Sequence, residues 1–305
     1  MQRPIVLASV IGAGLFAIAV FAQQTPPAAA PARPNMFGPI GEPEKLADNL
    51  YRIPGAGGHT AALIHDKGVL LVDTKVENNG QGILDAVKKF TAKPVTHIVN
   101  THTHFDHTGS NSEFPASVEV VVQDNTKANM EKMDQFKTDT GKVGLADRSF
   151  KDRMTLFSGK DAVDLYYFGP AHTNGDTYVV FRNARVMHAG DTFPNKAQPL
   201  LDVNNGGSGI AFPDTLAKAA QGVKNVDRVI TGHSDVVPWQ DFVDYGEFNR
   251  VFLDHARASL AAGKTPEQAM TDFKMPEKFT GYRVAPGGRG GPGGNFTVIY
   301  AELKK

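Results

Sequence analysis

Thr101-His102-Thr103-His104-Phe105-Asp106-His107-Thr108-Gly109 is the stretch on which the fold turns. Three histidines and an aspartate fall within six positions, directly after an apolar run, Val95–Asn100, that reads as a strand. His102 and His104 are separated by one residue, so an extended backbone sends both rings to one side. Asp106 and His107 are neighbours and diverge unless the chain turns there, which lets them approach a second centre. A lone histidine is more often structural than a ligand; a cluster of this density is not the ordinary pattern. Imidazole with carboxylate suits zinc first, and iron or manganese after it.

Three later segments each add one group. Gly169-Pro170-Ala171-His172 sets a histidine in a turn after a strand, His188-Ala189-Gly190-Asp191 an acid after another, and Thr231-Gly232-His233 a histidine after a third. Functional groups on strand-end loops, backed by a rigid sheet, are a common way to hold a site. Asp191 also suits a plain turn aspartate. Asp73, at the end of Val69–Val72, either braces the motif loop or only forms a turn. His59, close to three glycines, is a weaker candidate, on a loop surface or lining the cleft. His188 reads as packing or as support for a ligand, and His65, His97 and His255 as structural. Trp239 is expected to anchor the helix after His233 rather than line a pocket.

Working outward, Leu50–Ile53, Ala61–His65 and Gly68–Asp73 read as strands and Gly80–Phe90 as a helix. Val118–Gln123 is a strand and Asn125–Gln135 a helix, followed by a polar surface stretch over Lys137–Asp152. Strands are expected at Met154–Phe157, Val163–Phe168, Tyr178–Phe181, Arg185–Ala189 and Arg228–Thr231. Helices are expected at Thr215–Val223 and Asp241–Ala262. Thr265 starts another, with Pro266 at its first position and Gln268 three residues on. Pro286–Gly294 (PGGRGGPGG) reads as a mobile surface loop, and Asn295–Leu303 as a strand closing a sheet edge. This order of strands and helices predicts layered sheet and helix, not a bundle or an all-strand sandwich.

The chain has 305 residues, with 32 basic and 32 acidic side chains. That balance gives no reason to expect a nucleic-acid or anionic-membrane partner, and a small-molecule substrate is expected instead. Arg3 precedes an apolar run from Pro4 to Ala22. Residues 1–22 read as a secretory signal peptide, which implies a periplasmic or secreted protein with no stable membrane insertion after cleavage; an uncleaved anchor is the alternative. Residues 23–45, rich in Ala, Pro and Gln, read as a flexible leader, and the folded domain is expected over 46–305. With no cysteine anywhere, thiol nucleophiles, Cys-ligated zinc and iron–sulfur clusters are excluded.

The HxHxDH motif at His102, His104, Asp106 and His107, followed in order by His172, Asp191 and His233, resembles the metallo-beta-lactamase superfamily from about Leu50 to Val237. The resemblance implies an α/β (α+β layered) four-layer αββα sandwich with the site at one sheet edge. It implies that His102, His104 and His172 hold one metal, that Asp106, His107 and His233 hold a second, and that Asp191 bridges them. It further implies two Zn2+ ions, with iron or manganese possible, and a binuclear metal-dependent hydrolase. In such an enzyme a di-zinc-activated hydroxide attacks an ester, lactone, thioester or amide bond, and Asp106 is the catalytic side chain that orients it. By the same resemblance, dedicated beta-lactamases usually carry Cys or Ser where Asp191 stands, so that residue leans away from them, while export leans back. A secreted beta-lactamase, a mononuclear iron dioxygenase of the same fold and a non-catalytic metal-binding protein remain alternatives.

Overall fold

The structure, a computed structural model, describes residues 38–305; the expected signal peptide and the leader up to residue 37 lie outside them. Its first sheet has seven strands in sequence order: β1 (Glu44–Ala47), β2 (Leu50–Ile53), β3 (Thr60–His65), β4 (Gly68–Val72), β5 (Val95–Val99), β6 (Glu119–Gln123) and β7 (Arg148–Phe150). The pairs from β1 to β4 are antiparallel, and those from β4 to β7 are parallel. The second sheet has six: β8 (Arg153–Leu156), β9 (Val163–Tyr166), β10 (Tyr178–Phe181), β11 (Val186–His188), β12 (Arg228–Ile230) and β13 (Val237–Pro238). Only β11 and β12 run parallel there.

Alternation along the strands sorts side chains into three apolar layers, because successive residues face opposite sides of a sheet. In β4, Leu70 and Val72 join Val163, Leu165, Val179 and Ile230 between the sheets. Their neighbours Val69 and Leu71 face outward, onto Ile83 and Val87 of α1 (Gly80–Lys88) and Met130 of α3 (Asp124–Met130). On the second sheet, Tyr178, Val180, Met187 and Val229 face a helical layer of α4 (Phe212–Gly222), α5 (Trp239–Ala261), α6 (Pro266–Asp272) and α7 (Asn295–Leu303). The result is the αββα sandwich. α5 buries Phe242, Tyr245, Phe248, Phe252 and Ala256, an i, i+3, i+4 stripe. Trp239 opens that helix and packs on Phe242 with ring centroids 5.2 Å apart, an anchor as expected. Thr265 and Gln268 make the capping box that the sequence predicts for α6. Among the described residues, no helix is long and apolar enough to cross a membrane.

Three expectations need correction. Asn295–Leu303 is helix α7, not a strand: Phe296, Ile299, Tyr300 and Leu303 recur at i, i+3, i+4 and i+7 and enter the helical layer, so packing overrides their β propensity. The folded domain begins before residue 46. Gly41 N–H donates to Pro54 O at 2.9 Å, and Glu44 in β1 pairs with Arg52 across the β1–β2 register. α3 ends at Met130, and the chain then turns in 3-10 geometry over Asp134–Phe136; the stretch expected to cross the surface after it contains β7. Within the Pro286–Gly294 loop, Gly288–Gly293 takes short 3-10 turns, and Gly293 is so close to Pro266 that an added Cβ would lie 2.6 Å from its Cβ.

Candidate metal centre

The loops that carry the motif groups all leave the C-terminal ends of strands at one edge of the sandwich. After β5 the chain bends over Thr101–Thr103, is extended at His104 (φ −63°, ψ 148°) and then enters a single helical turn, α2 (Phe105–Thr108). That helical turn gives Asp106 and His107 a different aim from His102 and His104. His172 follows β9, Asp191 follows β11, and His233 follows β12. All seven expected groups are brought together. Side-chain ligand atoms of His102, His104 and His172 lie within 4.8 Å of one another, as do those of Asp106, His107 and His233, and those of His102, His107 and Asp191. Asp191 spans the first two groups: Oδ1 lies 3.4 Å from His107 Nε2 and 3.2 Å from His233 Nε2, and Oδ2 lies 3.8 Å from His172 Nε2.

The tautomers follow from what each outward-facing nitrogen touches. His107 Nδ1–H donates to Asp73 Oδ2 at 2.7 Å. The Thr101 hydroxyl donates to the same oxygen at 2.7 Å, and so accepts from His102 Nδ1–H at 3.0 Å. Asp73 Oδ1 takes the Thr101 N–H, also at 2.7 Å. Asp73 is fully buried in a left-handed turn (φ 65°), a conformation that Asp tolerates, so it braces the motif loop as well as forming a turn. His172 Nδ1–H donates to Leu200 O at 2.6 Å, and His104 Nε2–H to Asp202 Oδ2 at 2.6 Å. Each ring therefore turns a lone pair inward: Nε2 of His102, His107 and His172, and Nδ1 of His104.

The inward nitrogens meet chiefly one another. His104 Nδ1 and His172 Nε2 face each other at 2.9 Å, His107 Nε2 lies 3.4 Å from His233 Nε2, and His102 Nε2 is buried with no hydrogen-bond partner. Burial is the main reason that His102 is held well below the usual histidine range and His172 is brought down to about 3. Burial opposes the charge of Asp191, but His233 and His107 outweigh it and hold the carboxyl well below its ordinary value. Against the cost of burial, Asp73, Asp106 and Asp191 push His107 well above the usual histidine range and Asp191 pushes His233 up, so metal ions would displace protons from those two rings. With His102 and His172 neutral and Asp191 ionised, the residues present fit two metal ions.

Glycines make the close approach possible. A Cβ on Gly58 would lie 2.3 Å from His107 Cε1, and one on Gly232 only 1.9 Å from Asp191 Oδ1. The Gly58 loop is fastened from below by Lys75, a fully buried side chain whose ammonium donates to Ile53 O (2.8 Å), Gly55 O (2.7 Å) and Gly58 O (3.1 Å). His59 stays outside the clusters and donates to Ser234 O at 2.8 Å, fixing one loop to the other. His188 also supports backbone, linking to His59 O and accepting from Gly190 N–H.

Asp202 and Lys75 escaped the sequence reading. Asp202 lies in the long loop between β11 and α4, and only the folded chain brings it 98 positions back to His104. α7 holds that loop: Asn295 donates to Pro199 O at 2.8 Å, and Ser208 bonds Glu302.

The family model of the metallo-beta-lactamase superfamily matches residues 54–233, and the chain belongs to that superfamily. Among curated relatives, it is 26% identical over 151 residues to the 2,4-dinitroanisole O-demethylase subunit alpha of Nocardioides sp. (strain JS1661), covering 49% of this chain and 45% of that one. It is 44% identical over 52 residues to a probable metallo-hydrolase of Streptococcus pyogenes serotype M6, covering 17% of this chain and 21% of that one. Both matches thus span less than half of the relative. Solved structures share the fold. The DIM-1 metallo-beta-lactamase superposes with TM-score 0.59 at 16% identity over 69% of this chain and 98% of its own. A double mutant of the sec-alkyl sulfatase PisA1 gives 0.72 at 14% over 87% of this chain and 50% of its own.

Proposed function

We propose that the protein is a binuclear metal-dependent hydrolase, with zinc as the first candidate metal and iron or manganese as alternatives, that cleaves an ester, lactone, thioester or amide bond. The observation that carries this reading is the facing pair of lone pairs on His104 and His172, beside the unpartnered Nε2 of buried His102. His102, His104 and His172 would hold one ion, Asp106, His107 and His233 the other, and Asp191 would touch both. When bound, two dications supply a nucleophile from water at neutral pH and polarise the carbonyl under attack.

The chain's own residues do the rest. Asp73, Thr101, Leu200 O and Asp202 fix the four ring tautomers in advance, so no reorganisation is needed when charge develops. Asp106, whose Oδ2 lies 3.3 Å from His233 Nε2, sits where a carboxylate can orient a water and take its proton. Water adds across the bond: its oxygen joins the acyl carbon, and the leaving oxygen, sulfur or nitrogen takes a proton.

The export signal read over residues 1–22 makes a periplasmic or secreted location part of the same proposal; N-terminal sequencing of protein recovered from the cell exterior tests it. For the activity, zinc-loaded and chelator-stripped protein should be assayed against an ester, a lactone, a thioester and a beta-lactam. The names of the relatives justify adding an alkyl sulfate and an aryl methyl ether. Turnover that disappears with chelator and returns with zinc supports the reading; no turnover of any of them contradicts it.

A further inference from the structure

Among the described residues, four large apolar side chains are exposed: Phe105, Val143, Leu200 and Val203. Scattered apolar exposure is ordinary, but three of these four border the metal centre. Phe105 (46% exposed) lies between His104 and Asp106 in the motif itself. Leu200 (40%) gives its carbonyl to His172, and Val203 (53%) follows Asp202, which holds His104. Their outward aim is built in. Between Leu200 and Val203, Leu201 enters the helical layer and Asp202 is buried, with its N–H donated to His172 O at 2.9 Å.

The charge of the site points the same way. Two dications would bring four positive charges. Asp106 and Asp191 cancel two, and Asp73 and Asp202, each accepting from a ring of the set, cancel the other two. With the buried Lys75 ammonium that Asp73 attracts, the site keeps at most about one net positive charge before any water ionises, a weak pull on an anionic substrate.

We propose that Phe105, Leu200 and Val203 form an apolar rim that receives the hydrocarbon part of an uncharged carbonyl substrate, such as an ester or lactone with an aliphatic tail. The proposal rests on the hydrolase reading for where the reacting bond lies.

The test separates binding from turnover. Calorimetry on the zinc-loaded full chain measures affinity for N-alkyl gamma-lactams, which stand in for the lactone without being readily hydrolysed, with two-, four- and eight-carbon tails. The affinity is expected to rise about tenfold or more from the shortest tail to the longest, since each buried methylene adds a favourable increment. In the Leu200→Asn/Val203→Asn variant, with metal content and circular dichroism checked, the rise should shrink to about threefold or less. Should the double variant not fold, Val203→Asn alone at the more exposed position should still reduce it. In parallel, kcat/KM for p-nitrophenyl acetate and octanoate should show the same tail dependence. A flat lactam series, or an unchanged slope in the variants, overturns the rim. Ester turnover without tail dependence leaves the hydrolase and removes the rim; a lactam slope with no turnover of any carbonyl substrate leaves the rim and removes the hydrolase.

Discussion

His104 and His172 present unprotonated nitrogens to each other at 2.9 Å, and each has its remaining N–H already given to Asp202 Oδ2 or Leu200 O. Two lone pairs at that distance repel unless a cation or proton lies between them. Breaking one outer bond should therefore weaken metal binding without emptying the core. Asp202→Asn keeps an acceptor but loses the charge, and is expected to lower metal affinity about tenfold. Competition titration against a chelator reads this directly, and an unchanged affinity would count against the assigned tautomers.

Asp73 carries a larger structural role. It is fully buried and accepts from Thr101 N–H, Thr101 Oγ1–H and His107 Nδ1–H. Asp73→Ala leaves all three donors without an acceptor and should cost about 3 kcal/mol of stability in metal-free protein. Urea denaturation of the stripped protein gives the number. A loss below about 1 kcal/mol would mean that water or a shifted loop replaces the carboxylate.

Gly58 separates packing at the site from global stability. Its φ is not in the left-handed region, so alanine is acceptable to the backbone, but the new Cβ would meet the His107 ring at 2.3–2.7 Å. Gly58→Ala should displace that ring and lower affinity for the second metal about tenfold or more, because ligand geometry sets metal affinity. Metal stoichiometry measured at limiting metal shows whether one ion is lost before the other.

Lys75 gives stability a pH dependence. Burial brings its ammonium down to about 7, against the opposing pull of Asp73, while the unfolded side chain titrates near ~10.4. Between those values the unfolded chain binds more protons than the folded one, so stability from this group rises with pH from about 7 and levels off near ~10. The difference in unfolding free energy between wild type and Lys75→Met, followed from pH 7 to pH 10, should move in favour of wild type. A pH-independent difference would show that the three carbonyls keep Lys75 charged throughout.

The fold and the seven site groups were legible because both rest on local pattern. Alternation such as Val69–Val72 places strand faces, and the spacing of His102, His104 and His107 places ligands. Long-range contacts were not legible. Asp202 reaches His104 only through a loop held by α7, and no local period marks the pair. α7 itself was misread because Thr297, Val298 and Ile299 are β-branched, while the helix is decided by where Phe296, Ile299 and Tyr300 meet the core. Lys75 escaped notice because a buried lysine is rare and is explained only by the three carbonyls around it.

The central claim, a centre for two metal ions, is tested most directly by elemental analysis of protein reloaded with zinc and dialysed, beside a His172→Ala variant. The clusters predict about two zinc ions per wild-type chain and about one in the variant, whose second set, Asp106, His107 and His233, is intact. One ion or none in the wild type, or an unchanged count in the variant, would contradict it.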